Sequence, residues 1–408
     1  MSKLIIQNGN MCELDLPLKF AQKLYNEFAI RHPNAFYLRT RQRGMQNWDG
    51  KIHYITKTGQ FKIGLLPKVY DMCIEMGIKP KVVDMRQPLP KVSKVVTNIG
   101  KYKLRPEQEK AVKSVINNRV GDTPFHIGVL DYTVNAGKTL IMSSLYLTYK
   151  KQLKTLLITN DSDWLNQARE EFKQYLPGED ITFVQGKVLN WSNFTIGMVQ
   201  SISRNMRFYQ KELSQIDMVL VDEADQGGSK QYQNVITRLF NTRIRIGLSG
   251  TIYMSKLAKD KVKNMNLECF FGKVIAEFKL KDSIKKGYST KTIVKMVPGK
   301  PWYGNWESDC ISYKEIYDDS ITENNTAWTM AYNRLRWNIN QGRYPALVVC
   351  KHIAHCENLY KFFKKKLGDA YNIAYVHVNT PSKLRQQIMR DFREGKIDIL
   401  VSTTIIAR

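Results

Sequence analysis

Gly137-Lys138-Thr139 follows an apolar run and opens a segment with helical patterning, KTLIMSSLYLTYKKQ. A strand that ends in a tight loop and turns into a helix aims backbone N–H groups and the positive end of the helix dipole at one point, which suits a phosphate. Lys138 would reach the β- and γ-phosphate oxygens of a nucleotide, and the Thr139 hydroxyl would ligate Mg²⁺. The usual phosphate loop has a glycine five positions earlier, where this chain has Tyr132. Alone, Gly-Lys-Thr is a weak match that a chance turn also explains. A second element raises its weight. In MVLVDEAD, Asp222 and Glu223 stand directly after a strongly apolar stretch. Asp222 would hold Mg²⁺, and Glu223 would orient or deprotonate an attacking water. A helix N-cap with solvated charges is the ordinary explanation of such a pair. The two elements in this order, about eighty residues apart with strand-like runs between them, make coincidence a poor account.

These residues need a scaffold of parallel strands, and the text supplies one. The runs FHIGVL, TLLIT, FTIGMV, MVLVD and IRIGLSG each precede a loop and a helical or polar segment. Near-continuous apolar runs are the signature of strands buried on both faces. A second block begins near 345 with PALVVC, NIAYVHV and IDILVST. Before them, residues 1–95 read as a small α+β module: LPLKFAQKLYNEFAI has helical periodicity, and FYLRTRQRGMQNWDGKIHYITKTGQFKIGLLP alternates like hairpin strands broken at Asp49-Gly50 and Thr58-Gly59. The expected architecture is α/β, with two doubly wound lobes, 96–285 and 286–408, behind that module.

The 408 residues carry 63 Lys+Arg against 37 Asp+Glu, a net charge of +26. Such an excess points to a polyphosphate partner, although a generally basic surface would read the same. No apolar run reaches the length of a membrane span, and the N-terminus turns polar before a signal-peptide core could form. The six cysteines contain no Cys-x-x-Cys pair, and Cys350, Cys356, His352 and His355 fit no common zinc spacing. No structural metal, no membrane and a reducing cytoplasm are expected.

From about residue 104 onward the ordered motifs resemble the superfamily 2 helicases and translocases. LRPEQ is similar to their Arg-x-x-Gln element, which implies adenine-side contacts by Arg105 and Gln108. VNAGKT stands where the family has Thr-Gly-x-Gly-Lys-Thr, so Asn135, Ala136, Gly137, Lys138 and Thr139 would form the ATP loop. The family does not require the early glycine, and Asn135 tolerates unusual dihedrals better than most residues. LLITNDSDWLNQARE and TIGMVQSI resemble the next two motifs, and DEAD at 222–225 the acidic one. LSGT resembles the motif that couples hydrolysis to movement, through Ser249 and Thr251. ALVVCKH and the stretch up to LVST resemble the second-lobe motifs. The resemblance implies two RecA-like lobes, ATP and Mg²⁺ as cofactors, and Lys138, Asp222 and Glu223 as the catalytic set. RQRGMQNWDGKIHYI and the following GLLP are similar to UvsW-type phage helicases, which implies branched or forked DNA as partner, action as a monomer and, for a phage protein, the bacterial host cytoplasm.

By the same resemblance Asn160, Gln200 and Ser201 face the DNA track. Arg204 and Arg207 would add charge there, or form a solvated basic helix face. In the module, Arg39, Arg41 and Arg43 alternate along an expected strand and would project to one face, with Trp48 nearby in a turn. A basic edge with an aromatic suits phosphate contact and base stacking, though a packing role is the preferred reading for Trp48. The sequence stops inside the family's fifth motif and short of the sixth with its arginine fingers, so nucleotide binding is expected to survive better than hydrolysis. An RNA helicase, suggested by the literal DEAD, and a non-catalytic nucleic-acid scaffold are the competing readings. The intact Lys138, Thr139, Asp222 and Glu223 speak against the scaffold.

Overall fold

A computed structural model describes residues 2–41, 44–92, 94–149, 152–160, 162–188, 191–252, 258–296 and 312–404. The chain divides into two compact units, Met1–Lys291 and Thr292–Arg408.

The first unit begins with β1 (Lys3–Ile6), β2 (Met11–Asp15), β3 (Ala29–Arg31), β4 (Lys51–His53), β5 (Gln60–Lys62) and β6 (Lys81–Asp84). Four of them form a sheet in the order β5-β2-β1-β6, antiparallel except for the β1/β6 pair, and β3 pairs with β4. The turn at Thr58-Gly59 forms as expected, with Gly59 in the left-handed region. The stretch before it does not: Ala35–Arg41 is a helix. Ala35 is buried and Leu38 half-buried while their neighbours are exposed, a spacing of three that belongs to a helix and overrides the apparent alternation. Arg39 and Arg41 therefore cannot share one strand face, since two positions along a helix turn through about 200°. Arg43 lies outside the described residues.

Residues 1–95 do not enclose a separate core. Leu4, Phe28, Phe61 and Val69 belong to one apolar cluster with Phe125, Ile127, Val219 and Phe271. Polar bonds reinforce the junction. The Gly9 N–H donates to the Phe240 carbonyl at 2.6 Å, and the Asn10 amide donates to the Thr237 carbonyl at 3.1 Å. A Cβ on Gly64 would lie 2.1 Å from the Glu268 carbonyl oxygen, so backbone meets backbone there. The fully buried Arg245 guanidinium donates to the carbonyls of Phe270 and Gly9 and to Asn10 Oδ1, at 3.1, 2.5 and 2.8 Å. Burial pushes its pKa down to about 9, which leaves it charged at neutral pH.

Two short antiparallel pairs follow, β7 (Asn98–Ile99) with β8 (Tyr102–Lys103) and β9 (Arg119–Val120) with β10 (Thr123–Pro124). The main sheet then takes β11 (Ile127–Tyr132), β12 (Thr155–Thr159), β13 (Ile181–Val184), β14 (Phe194–Met198), β15 (Met218–Asp222), β16 (Ile244–Ser249) and β17 (Val274–Phe278). All neighbours are parallel, in the order β13-β14-β12-β15-β16-β11-β17. Every residue of β11, β12, β15 and β16 is buried, as the unbroken apolar runs require. This is a RecA-like lobe. One strand, β16, separates β11 from β15, so three loops leave neighbouring strand ends on one edge, where open parallel sheets bind ligands.

In the second unit, β18 (Ala346–Cys350), β19 (Ile373–Val376) and β20 (Ile399–Thr403) form a parallel sheet in the order β18-β20-β19. The helices Asn325–Asn340 and Ile353–Leu367 supply Leu335, Ile339, Leu359 and Phe363 to its core. Cys350, Cys356 and His355 are buried there as core residues.

Candidate nucleotide site and nucleic-acid interface

The loop after β11 is shaped by two left-handed residues, Asn135 (φ 63°) and Gly137 (φ 74°). Asparagine is one of the few side chains that tolerates this region. Gly137 has a second constraint, because a Cβ there would sit 2.3 Å from Gln108 Nε2. Gln108 holds the loop from below: its amide donates to the Ala136 carbonyl at 2.9 Å, while its Oε1 accepts from the Arg105 N–H at 2.8 Å. Arg105 donates to the Asn135 carbonyl at 3.2 Å. The residues expected on the adenine side are thus brought to the phosphate loop itself. Tyr132, in place of the usual glycine, is fully buried and donates its hydroxyl to the Glu107 carbonyl at 2.8 Å. It ties the strand below the loop to the helix Pro106–Ile116, and burial raises its pKa to about 12.

The helix Lys138–Thr148 starts at Gly137 without a side-chain cap, so its first N–H groups remain available to an anion. Lys138 Nζ lies 3.2 Å from Glu223 Oε1 and 3.7 Å from Asp222 Oδ1. Asp222 is buried, and Oδ1 has no hydrogen-bond partner among the described residues. Burial raises its pKa to about 6; Lys138 opposes the shift and Glu223 adds to it. A buried carboxylate whose nearest counter-charge is Lys138 at 3.7 Å suits Mg²⁺, which takes few protein ligands and completes its shell with water and phosphate oxygens; Thr139, half-buried at the start of the helix, is the second ligand the sequence leads one to expect. Among the described residues no cluster of three His, Cys, Asp or Glu could hold a metal. Glu223 itself adopts a left-handed backbone (φ 50°) with its side chain 48% exposed, a strained conformation of the kind found at functional sites. Next to it, Asp225 Oδ1 accepts from the Ser249 hydroxyl at 3.1 Å, and the Thr251 N–H donates to Ser249 Oγ at 3.2 Å. The acidic loop after β15 and the loop after β16 are therefore hydrogen-bonded to each other.

Sequence reasoning missed a neighbouring cluster. Glu107 forms ion pairs with Arg105 Nε at 3.2 Å and Lys286 Nζ at 2.8 Å, and the Arg105 guanidinium lies 4.2 Å from the Tyr288 ring centroid. Asp131, buried at the end of β11, is paired with Lys279. Lys279, Lys286 and Tyr288 stand about 150 to 180 residues from their partners, and no local pattern announces them.

On the same sheet edge, Asn160 follows β12 and Gln200 follows β14; the Gln200 amide donates to the Asn160 carbonyl at 3.2 Å. Ser201 Oγ accepts from the Gly186 N–H at 3.1 Å. Arg204 and Arg207 are exposed just beyond. In the N-terminal part, Arg39 and Arg41 are exposed on their helix beside Phe36 and Tyr37, which are 79% and 55% exposed, and Arg41 lies 5.1 Å from the Tyr37 ring centroid. Trp48 is half-buried: its indole N–H donates to the Lys51 carbonyl at 2.9 Å, and its ring meets His32 edge-on.

Two family models match the chain: type III restriction enzyme, res subunit, over residues 101–254, and helicase conserved C-terminal domain over residues 331–408. Among solved structures it is similar to the UvsW helicase from bacteriophage T4, at 21% identity and a TM-score of 0.52, over 68% of this chain and 99% of that one. A further structure of T4 UvsW is similar at 19% identity and a TM-score of 0.53, over 98% of this chain and 80% of that one. No curated protein sequence matches.

Proposed function

We propose that this chain is a superfamily 2 helicase, an ATP-dependent DNA helicase or translocase that remodels branched DNA, by migrating junctions and regressing forks. The observation that carries the ATP part is the meeting of Lys138, Asp222 and Glu223 at one sheet edge beneath a loop bent by Asn135 and Gly137. Lys138 binds the β- and γ-phosphates and is released from its two carboxylates as it does so. Thr139 and Asp222 hold Mg²⁺, which when bound offsets phosphate charge. Glu223 orients the attacking water and takes its proton. Arg105 and Gln108 set the loop's shape on the adenine side, and Ser249 and Thr251 relay loop position to the DNA-facing edge.

In this reading Asn160, Gln200, Ser201 and Arg204 contact a strand along that edge. The module of residues 1–95 adds Arg39 and Arg41 to the grip, with Phe36 and Tyr37 as stacking surfaces. Residues 96–285 bind ATP, and 286–408 form the second lobe. The exposed basic and aromatic side chains of the module favour branched DNA, where unpaired bases are accessible. The test is ATP-dependent resolution of a synthetic four-way junction, with linear DNA duplex, RNA duplex and the Lys138→Ala variant alongside. Junction processing that the variant lacks is expected. Opening of the RNA duplex in place of the junction would overturn the substrate assignment, and equal activity of Lys138→Ala would overturn the site.

A further inference from the structure

The second unit carries a cationic site that none of the motifs covers. Trp337, 39% exposed on the helix Asn325–Asn340, has three cations around its ring: Arg334, Lys295 and Arg343 lie 4.2, 4.9 and 5.1 Å from the centroid. Arg334 is one turn before Trp337 and shares its helix face. Gly342, left-handed at the helix end, turns the chain so that the Arg343 N–H donates to the Asn338 carbonyl at 2.9 Å, which returns Arg343 to the last turn. Lys295 lies in residues 292–296, which form no helix or strand. These residues, Trp337 excepted, line a cavity of about 320 Å³ with Asn338 and Ile293.

Because all three charges lie within 5.1 Å of one centroid, no two are more than about 10 Å apart, a single Debye length at 0.1 M salt. They repel, and among the described residues none has a carboxylate partner. The helix Asn325–Asn340 contains no Asp or Glu, nor do residues 292–296 or 341–346. Cation–π contact with an indole returns only about 0.5–1 kcal/mol at an exposed site. The helix C-terminus accounts for Arg343 alone. Three unpaired cations and an amide facing one cavity are complementary to a phosphate.

We propose that Arg334, Arg343, Lys295 and Asn338 bind the backbone phosphate of a nucleic-acid strand, with the adjoining sugar against Trp337 and Ile293. This rests on the nucleic-acid reading above. It adds a grip on the second unit made by residues outside the motifs, fixed by charge and indifferent to base sequence.

The experiment measures fluorescence anisotropy of a labelled single-stranded oligonucleotide with the full chain, across a salt series, for the parent and for the Lys295→Gln/Arg334→Gln/Arg343→Gln variant. Each neutralised phosphate of a single strand contributes about 0.7 to the salt slope, so loss of this one phosphate contact should lower the slope by about 0.7 and the affinity by about five- to tenfold at 0.1 M salt. Inorganic pyrophosphate is titrated as a competitor in parallel. Unchanged affinity and slope in the variant, with the parent binding normally, overturns this site and leaves the DNA reading standing. Loss of pyrophosphate binding with strand binding intact makes it a free-polyphosphate site and also overturns the proposal. A parent that binds no strand removes both. The three side chains are partly or fully exposed, so melting temperatures should match.

Discussion

Replacing Asp222 by Asn should make the ligand-free chain more stable while ending its catalysis. Burial holds the Asp222 carboxyl near pKa 6, against 3.8 for an unburied one, and each unit is worth about 1.36 kcal/mol, so the ionised side chain costs the fold roughly 3 kcal/mol. The folded pKa lies above the unfolded one; the cost is therefore absent below about pH 3.8, grows between there and about 6, and is complete at neutral pH. Asparagine removes the charge but stays a buried polar group, which reduces the expected gain to about 1–3 kcal/mol, or roughly 2 to 6 °C for a unit of this size. Calorimetry or dye-monitored melting at pH 7.5 without nucleotide or Mg²⁺ reads this directly. The advantage should shrink strongly at pH 4.5. Saturating Mg²⁺-nucleotide should reverse it, since a ligand at a hundred times its Kd stabilises by about 2.7 kcal/mol only a chain that binds it. An Asp222→Asn chain that melts below the parent at pH 7.5, or keeps the same advantage at pH 4.5, refutes the reasoning.

Gly137→Ala should abolish nucleotide binding and cost about 1–3 kcal/mol in stability, because the new Cβ meets the Gln108 amide in a left-handed backbone; equilibrium binding of a fluorescent ATP analogue and a melt measure the two effects. Ser249→Ala removes the hydroxyl that links the β16 loop to Asp225, and is expected to keep most DNA-stimulated ATP hydrolysis while lowering junction processing by about tenfold, the loss of one net hydrogen bond of roughly 1–1.5 kcal/mol. Arg39→Gln/Arg41→Gln should weaken duplex binding and reduce its salt slope by up to about 1.8, without altering ATP affinity; an unchanged slope would exclude both from the phosphate grip.

Strands β11, β12, β15 and β16 were legible because burial on both faces forces unbroken apolar runs; β18 read the same way although Leu347 and Val349 are exposed. The phosphate loop was legible because Asn135 and Gly137 are residues that can take the backbone angles it needs. The helix Ala35–Arg41 was not, since seven residues with one buried alanine offer too little periodicity to separate a helix from a strand. Tyr132 looked like a departure from the motif and proves to be a core anchor, a role that depends on Glu107 lying across from it. Arg245 in IRIGLSG gave no sign of burial, because its acceptors are backbone carbonyls brought from Gly9 and Phe270. Residues that meet only through tertiary structure, such as Glu107 with Lys286, leave no mark in spacing.

Arg245 stands near the start of β16 and Ser249 closes the same strand. One end is clasped to the chain's first turn, the other to the acidic loop, with about 13 Å of extended backbone between them at 3.3 Å per residue. A strand in the middle of a sheet resists stretching, so β16 works as a stiff rod. If the N-terminal part grips a strand as proposed, a pull on it would reach the acidic loop of Glu223 and Asp225 through one strand's length of backbone.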